Sequence, residues 1–91
     1  MNKRVALIVA LLGANNVEVK KVRESRNQLE YHEIEVSASV HIQVSTEEEF
    51  YVMVVRQIIP DYEFKFWHMR FDGDGLLRDL AQALAEEKSA S

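Results

Sequence analysis

Glu33-Ile34-Glu35-Val36-Ser37-Ala38-Ser39-Val40-His41-Ile42-Gln43-Val44 alternates polar and apolar side chains without a break. A period of two sends successive side chains to opposite faces, so Ile34, Val36, Ala38, Val40, Ile42 and Val44 share one apolar face. Glu35, Ser37, Ser39, His41 and Gln43 share a polar one. The pattern predicts a single half-buried strand over 33–44. At the rise of an extended chain it spans roughly 35 Å, about the width of a small domain. A strand of that reach belongs in the middle of a sheet, where it sets the register of its neighbours.

Beyond it, residues 46–59 admit two readings. Thr46 with Glu49 three positions later, and Glu47 and Glu48 between them, is the signature of a capping box at a helix start, with Pro60 to stop the helix. Phe50 to Ile59, however, holds Val52, Val54, Val55, Ile58 and Ile59. Those β-branched side chains favour a strand entered from a charged hairpin loop, and the strand is the preferred reading. The helical alternative leaves a three-stranded sheet. Tyr62 to Phe71 is a clearer strand, with Pro60 and Asp61 supplying the turn before it and aromatic residues at both parities. Asp72, Gly73, Asp74 and Gly75 then form a tight connection. Leu77, Leu80, Ala81 and Leu84 make the apolar stripe of an amphipathic helix over 76–87, with Asp74 as its N-cap and residues 88–91 as a frayed tail.

On the other side, Val17 to Arg23 reads as a strand that bulges or ends near Lys20, joined to the long strand by the polar turn 24–28. Met1 to Ala14 carries Val5, Ile8, Val9 and Leu12 at helical spacing, and Ala6, Leu7, Ala10 and Leu11 widen the stripe until almost the whole cylinder is apolar. Such a helix should be buried on more than one side, with Gly13 as the left-handed residue that ends it. Lys3 and Arg4 before an apolar run also resemble a secretory signal peptide, although Leu12 is bulky for the position two before a cut after Ala14. The run is far shorter than the roughly 20 residues that span a bilayer.

The elements assemble into one α+β domain over 1–91. An N-terminal helix is followed by an antiparallel β-meander of about four strands and a C-terminal amphipathic helix, with both helices on one face of the sheet. Composition agrees with this class: 47% apolar and 29% charged residues with a single proline belong to an ordinary globular chain. The absence of cysteine excludes disulfides and thiolate metal sites and suits a reducing cytoplasm, with export the alternative if 1–14 is a signal peptide. A formal charge of −4 argues against a broad nucleic-acid surface.

Chemistry-bearing motifs are sparse. Asp72-Gly73-Asp74-Gly75 has the start of a calcium loop, but its twelfth position is Ala83 instead of a bidentate Glu. His32, His41 and His68, with Glu33 or Glu35, offer metal-ligand types, yet His32 and His41 fall on opposite faces and read as solvated sheet histidines. No Ser or Cys stands in a nucleophile elbow and no glycine-rich phosphate loop follows a strand, so neither enzymatic activity nor a cofactor is expected. Lys20, Lys21, Arg23 and Arg26 are the one basic cluster: either an anion contact or the lysine-protected edge of the sheet.

With two helices on one face, the other face should expose some of Tyr51, Met53, Val55, Trp67 and Met69. Aromatic and Met side chains of that kind mark protein interfaces. The expectation is a small non-enzymatic protein-binding module, an adaptor, assembly factor or inhibitor of a larger machine, that self-associates as a homodimer. The alternative is a single-stranded nucleic-acid binder that stacks bases on Tyr62, Phe64, Phe66 or Trp67 beside the basic cluster.

Overall fold

In a computed structural model, residues 1–28, 30–58 and 63–90 are described, and the side chains of 58, 63–69 and 90 lie outside the description. The order of elements is α1 (Lys3–Ala14), β1 (Lys21–Arg23), β2 (Tyr31–Glu35), β3 (Val40–Ser45), β4 (Tyr51–Ile58), β5 (Glu63–Arg70) and α2 (Gly73–Ala90). The strands form one five-stranded antiparallel meander in chain order. Residues 51–58 are thus a strand, as β-branched richness favours.

The continuous alternation of 33–44 is not one strand. It folds back at Ser37-Ala38-Ser39, where the amides of Val36 and Ser37 both donate to the Val40 carbonyl, at 3.1 and 3.0 Å. The resulting register pairs His32 with Val44, Ile34 with Ile42 and Glu35 with His41. Even residues therefore oppose even residues, and directly opposed side chains share a face. The hairpin keeps the parity of the alternation, so the turn leaves no mark on the hydrophobic pattern, and it contains neither glycine nor proline to announce itself. Only Ala38, at its tip, is exposed instead of buried.

This turn is held from α2. Glu87 Oε2 accepts from Ser37 Oγ at 2.7 Å, from the Ser39 amide at 3.1 Å and from Ser39 Oγ. The hydroxyls of Ser39 and Ser37 hold the Glu87 carboxyl below the ordinary carboxylate range, and Lys20 adds to the effect. A carboxyl whose pKa is depressed by folding stabilises the fold above its unfolded value and loses that contribution as pH falls through the folded value. Glu87→Gln is accordingly expected to lower stability by about 1 kcal/mol at pH 7. The difference from wild type should close as pH drops below about 4. Urea titrations of both chains at pH 7 and pH 3 check this, and a deficit that persists unchanged at pH 3 contradicts it.

Even-numbered strand residues form the core with one stripe from each helix. Ile34, Val36, Val40, Ile42, Val44, Val52 and Val54 pack with Val5, Ile8 and Leu12 of α1 and with Leu76, Leu80 and Ala83 of α2. Both helices thus lie on the same face of the sheet. Gly73 opens α2 against Leu11 of α1, so close that a Cβ there would meet Leu11 Cδ2 at 3.3 Å. The helix begins before Leu76, with the Leu76 amide donating to the Asp72 carbonyl at 2.9 Å, so Asp74 sits inside the first turn and not at the N-cap. At the other end α2 runs on through Ala90, past Glu87, where its apolar stripe predicts the end.

α1 departs from its sequence reading in two ways. Only Val5, Ile8 and Leu12 are buried, while Ala6, Ala10 and Leu7 face outward, Leu7 at 47% exposure. One contact face suffices because the other side of α1 has no described element against it. Its C-terminal turn also differs: Asn15 caps the helix, and Asn16, at φ 61°, is the left-handed residue in place of Gly13. Asn tolerates that conformation better than most residues. Gly13 then sits in helical conformation with nothing within 4 Å of an added Cβ. Gly13→Ala should raise stability by about 0.5–1 kcal/mol, chiefly by restricting the unfolded chain. An unchanged or lower urea midpoint contradicts that assignment.

At its start, α1 is capped by Asn2 Oδ1, which accepts from the Arg4 amide at 2.8 Å and the Val5 amide at 3.3 Å. Arg4 then reaches across to the β3–β4 loop. Its guanidinium donates to the carbonyls of Ser45 at 3.1 Å and Glu48 at 2.8 Å and to that of Glu47. It also lies over the Phe50 ring, 5.0 Å from the centroid. The acidic run that resembles a capping box is therefore a loop tied down by Arg4 and by Ser45 Oγ, which donates to the Glu49 carbonyl at 2.6 Å.

Candidate functional site

No described element covers the odd-numbered face of the sheet. The register arranges it in rows: Lys21, Glu35, His41 and Val55 in one, Arg23, Glu33, Gln43 and Met53 in the next. Tyr31 and Tyr51 stand near one end, Tyr51 opposite Arg70. The β1–β3 part is polar, and the β4 part carries Tyr51, Met53 and Val55.

In the polar part the charges are matched. Arg23 Nη2 lies 3.2 Å from Glu33 Oε2, and Glu33 Oε1 lies 3.1 Å from His41 Nε2. Lys21 stands across from Glu35. These side chains, with Ser37, Ala38 and Gln57, line an open groove of about 310 Å³. The basic cluster of the sequence does not converge. Lys21 and Arg23 share the open face, whereas Lys20 precedes β1 with its amide donating to the Glu35 carbonyl at 2.8 Å, and Arg26 lies exposed in the β1–β2 loop. Alternation along an extended chain divides neighbours between faces.

His32 and His41 do fall on opposite faces, but His32 is buried and not solvated. It stands across from Val44 on the core side, and its Nδ1 accepts from the Ser25 amide at 3.0 Å. That bond anchors the β1–β2 loop and places the imidazole proton on Nε2. Among the described residues no three His, Asp or Glu side chains gather as a metal site requires.

The five residues expected to form the contact surface are divided by the structure. Tyr51, Met53 and Val55 belong to the open-face row of β4, but Met53 is 8% exposed and Val55 0% within the single chain. The side chains of Trp67 and Met69 lie outside the described residues, as do Tyr62 and the side chains of Phe64 and Phe66. Their backbone register pairs Trp67 with Val54 and Met69 with Val52, so the β4–β5 pairing joins even residues to odd ones. Sequence alternation alone cannot reveal that change of parity, because it depends on the length and shape of the intervening connection.

Among the described residues, the aromatic side chains that reach solvent on the open face are Tyr31, at 42% exposure, and half-buried Tyr51, with Arg23, Gln43 and Arg70 around them. Tyr31 lines a shallow depression with Arg23, Glu30, Glu33 and Gln43. Tyr51 lines another, of about 430 Å³, with Arg70 and the Phe50–Phe71 pair, whose rings stack at 4.9 Å. Glu49 fixes this corner. Tyr51 Oη donates to its carboxylate, which holds the phenol above its ordinary pKa, and Arg70 Nη2 lies 3.7 Å away. Sequence reading overlooked Tyr31, whose signal is its place two residues before the alternation begins at Glu33, in phase with the polar face. No family model matches this chain, and comparison with curated proteins and with solved structures finds none similar to it.

Proposed function

We propose that this chain is a small protein-binding module without chemistry of its own, acting in the cytoplasm and pairing with a second copy through the uncovered face of its sheet. The observation that carries this reading is the one-sided architecture. Two helices cover the even-numbered face, and the odd-numbered face offers Tyr31 and Tyr51 beside Arg23 and Arg70 with no described element over them. Tyr and Arg are the residue types that dominate binding energy at interfaces, because they join apolar area to a polar end. Charges of both signs alternate across this face, which lets a second copy approach without net repulsion. Cysteine-free composition suits a reducing compartment, and among the described residues no helix is long and apolar enough to cross a membrane. Protein is favoured over single-stranded nucleic acid because Arg23 and Lys21 already face Glu33 and Glu35, which leaves little unmatched positive charge for phosphates.

Sedimentation velocity over about 1–100 μM, the range of a modest homodimer, tests the reading. A dimer is expected, and Tyr31→Ala and Tyr51→Ala should each weaken it about tenfold or more. A monomer throughout the range, or a dimer indifferent to both changes, contradicts it.

A further inference from the structure

Among the described residues, Arg56 is the one Lys or Arg that is buried, at 8% exposure. It stands opposite Val40 in the helix-covered row of β4, after Val52 and Val54. Its pairing is poor for such a position. Nη2 donates to the Glu86 carbonyl at 3.4 Å and Nη1 lies 3.8 Å from Glu86 Oε2, whereas Nε is shut off from solvent and makes no hydrogen bond. Charge-assisted bonds normally close to about 2.8 Å. A guanidinium removed from water destabilises the fold unless it is well paired, and a flexible apolar side chain would serve packing better. Something other than packing is served by a cation here.

Beside the guanidinium lies an open depression of about 450 Å³ lined by Arg56, Gln82, Ala85, Glu86 and Ser89. Positions 82, 85, 86 and 89 recur at helical spacing, so they form one flank of α2. We propose that this groove receives a carboxylate, presented by an acidic side chain or by the free C-terminus of a partner chain, with Arg56 as the group that binds it. The planar guanidinium fork matches a carboxylate in shape and in charge. Glu86 and the carbonyl end of α2 beside the groove weigh more heavily against a phosphate dianion than against a carboxylate, which carries a single charge. Gln82 and Ser89 supply neutral donors at the rim. Glu86 Oε2 stands 3.8 Å from Nη1, beyond a close charge-assisted bond, so a ligand's carboxylate can take a nearer place on the guanidinium. The site lies on the helix side of the sheet, away from Tyr31 and Tyr51, so it stands or falls independently of self-association.

The test uses the full isotope-labelled chain, followed by NMR at Arg56 Nε–H and the Gln82 side-chain amide in about 0.15 M salt, where surface attraction is largely screened. The probes are an N-acetylated Gly-Ala peptide with a free C-terminus, the same peptide amidated, an amidated peptide with one central Glu, and inorganic phosphate. Saturable shifts are expected with a carboxylate peptide and not with the neutral amide. Which of the two carboxylate peptides binds more tightly identifies the source. Arg56→Met should weaken binding about tenfold or more while leaving the urea midpoint equal or higher, and Glu86→Gln should tighten it several-fold. Should Arg56→Met fail to fold, Arg56→Lys, which keeps the charge and loses the fork, should still bind several-fold more weakly. Equal response to the neutral amide or to phosphate, undiminished binding in the Arg56 variants, or weaker binding in Glu86→Gln overturns the proposal.

Discussion

Arg4→Ala is expected to lower the free energy of unfolding by about 2–3 kcal/mol, the sum of several charge-assisted bonds partly replaced by water and the loss of the contact with Phe50. One side chain ties the first turn of α1 to the carbonyls of the β3–β4 loop and lies against Phe50, which itself stacks on Phe71 at the start of the last connection. Arg4→Lys should recover less than half of the loss, because an ammonium cannot span carbonyls that a fork bridges. For a domain whose whole stability is on the order of 5–15 kcal/mol, the alanine change should be plain in a urea titration. A shift below about 0.5 kcal/mol, typical of an unremarkable surface residue, would show that the loop does not depend on Arg4.

Ile42→Ala should have a larger effect, about 3–4 kcal/mol, and Gln43→Ala, its immediate neighbour, less than about 0.5. Ile42 is fully buried between Ile34 and Val54 in the middle of the row beneath the helices. Gln43 points to the open face, across from Glu33 and Met53. The contrast between adjacent residues tests the parity of the whole sheet, since a register slip of one residue would exchange their roles. Comparable losses at both positions would mean that both faces are packed and that the one-sided architecture is mistaken.

What the sequence made legible follows from what a period of two can and cannot encode. It assigned Ile34, Val36, Val40, Ile42 and Val44 to the helix side, and all are buried there. It could not show that the run turns back at Ser37-Ala38-Ser39, because that hairpin preserves parity and its anchor, Glu87, lies far away in the chain. β4 gave no clean alternation for a physical reason: Met53 and Val55 are buried along with Val52 and Val54, so the strand is apolar on both sides. Arg56 breaks that run at a core position, a conflict between residue type and place that local pattern alone cannot resolve. The open face was foreseen, but among the described residues its accessible aromatic side chains are Tyr31 and Tyr51, and Met53 and Val55 are closed over within the chain.

The most direct test of the central claim, that the uncovered sheet face is where this chain meets its partner, is an isotope-filtered NMR experiment on an equal mixture of labelled and unlabelled chains. Intermolecular contacts from the rings of Tyr31 and Tyr51, with none from Leu7 or Ala10 on the outer side of α1, are the predicted result. Contacts confined to α1, or none at a concentration where the chains associate, would contradict it.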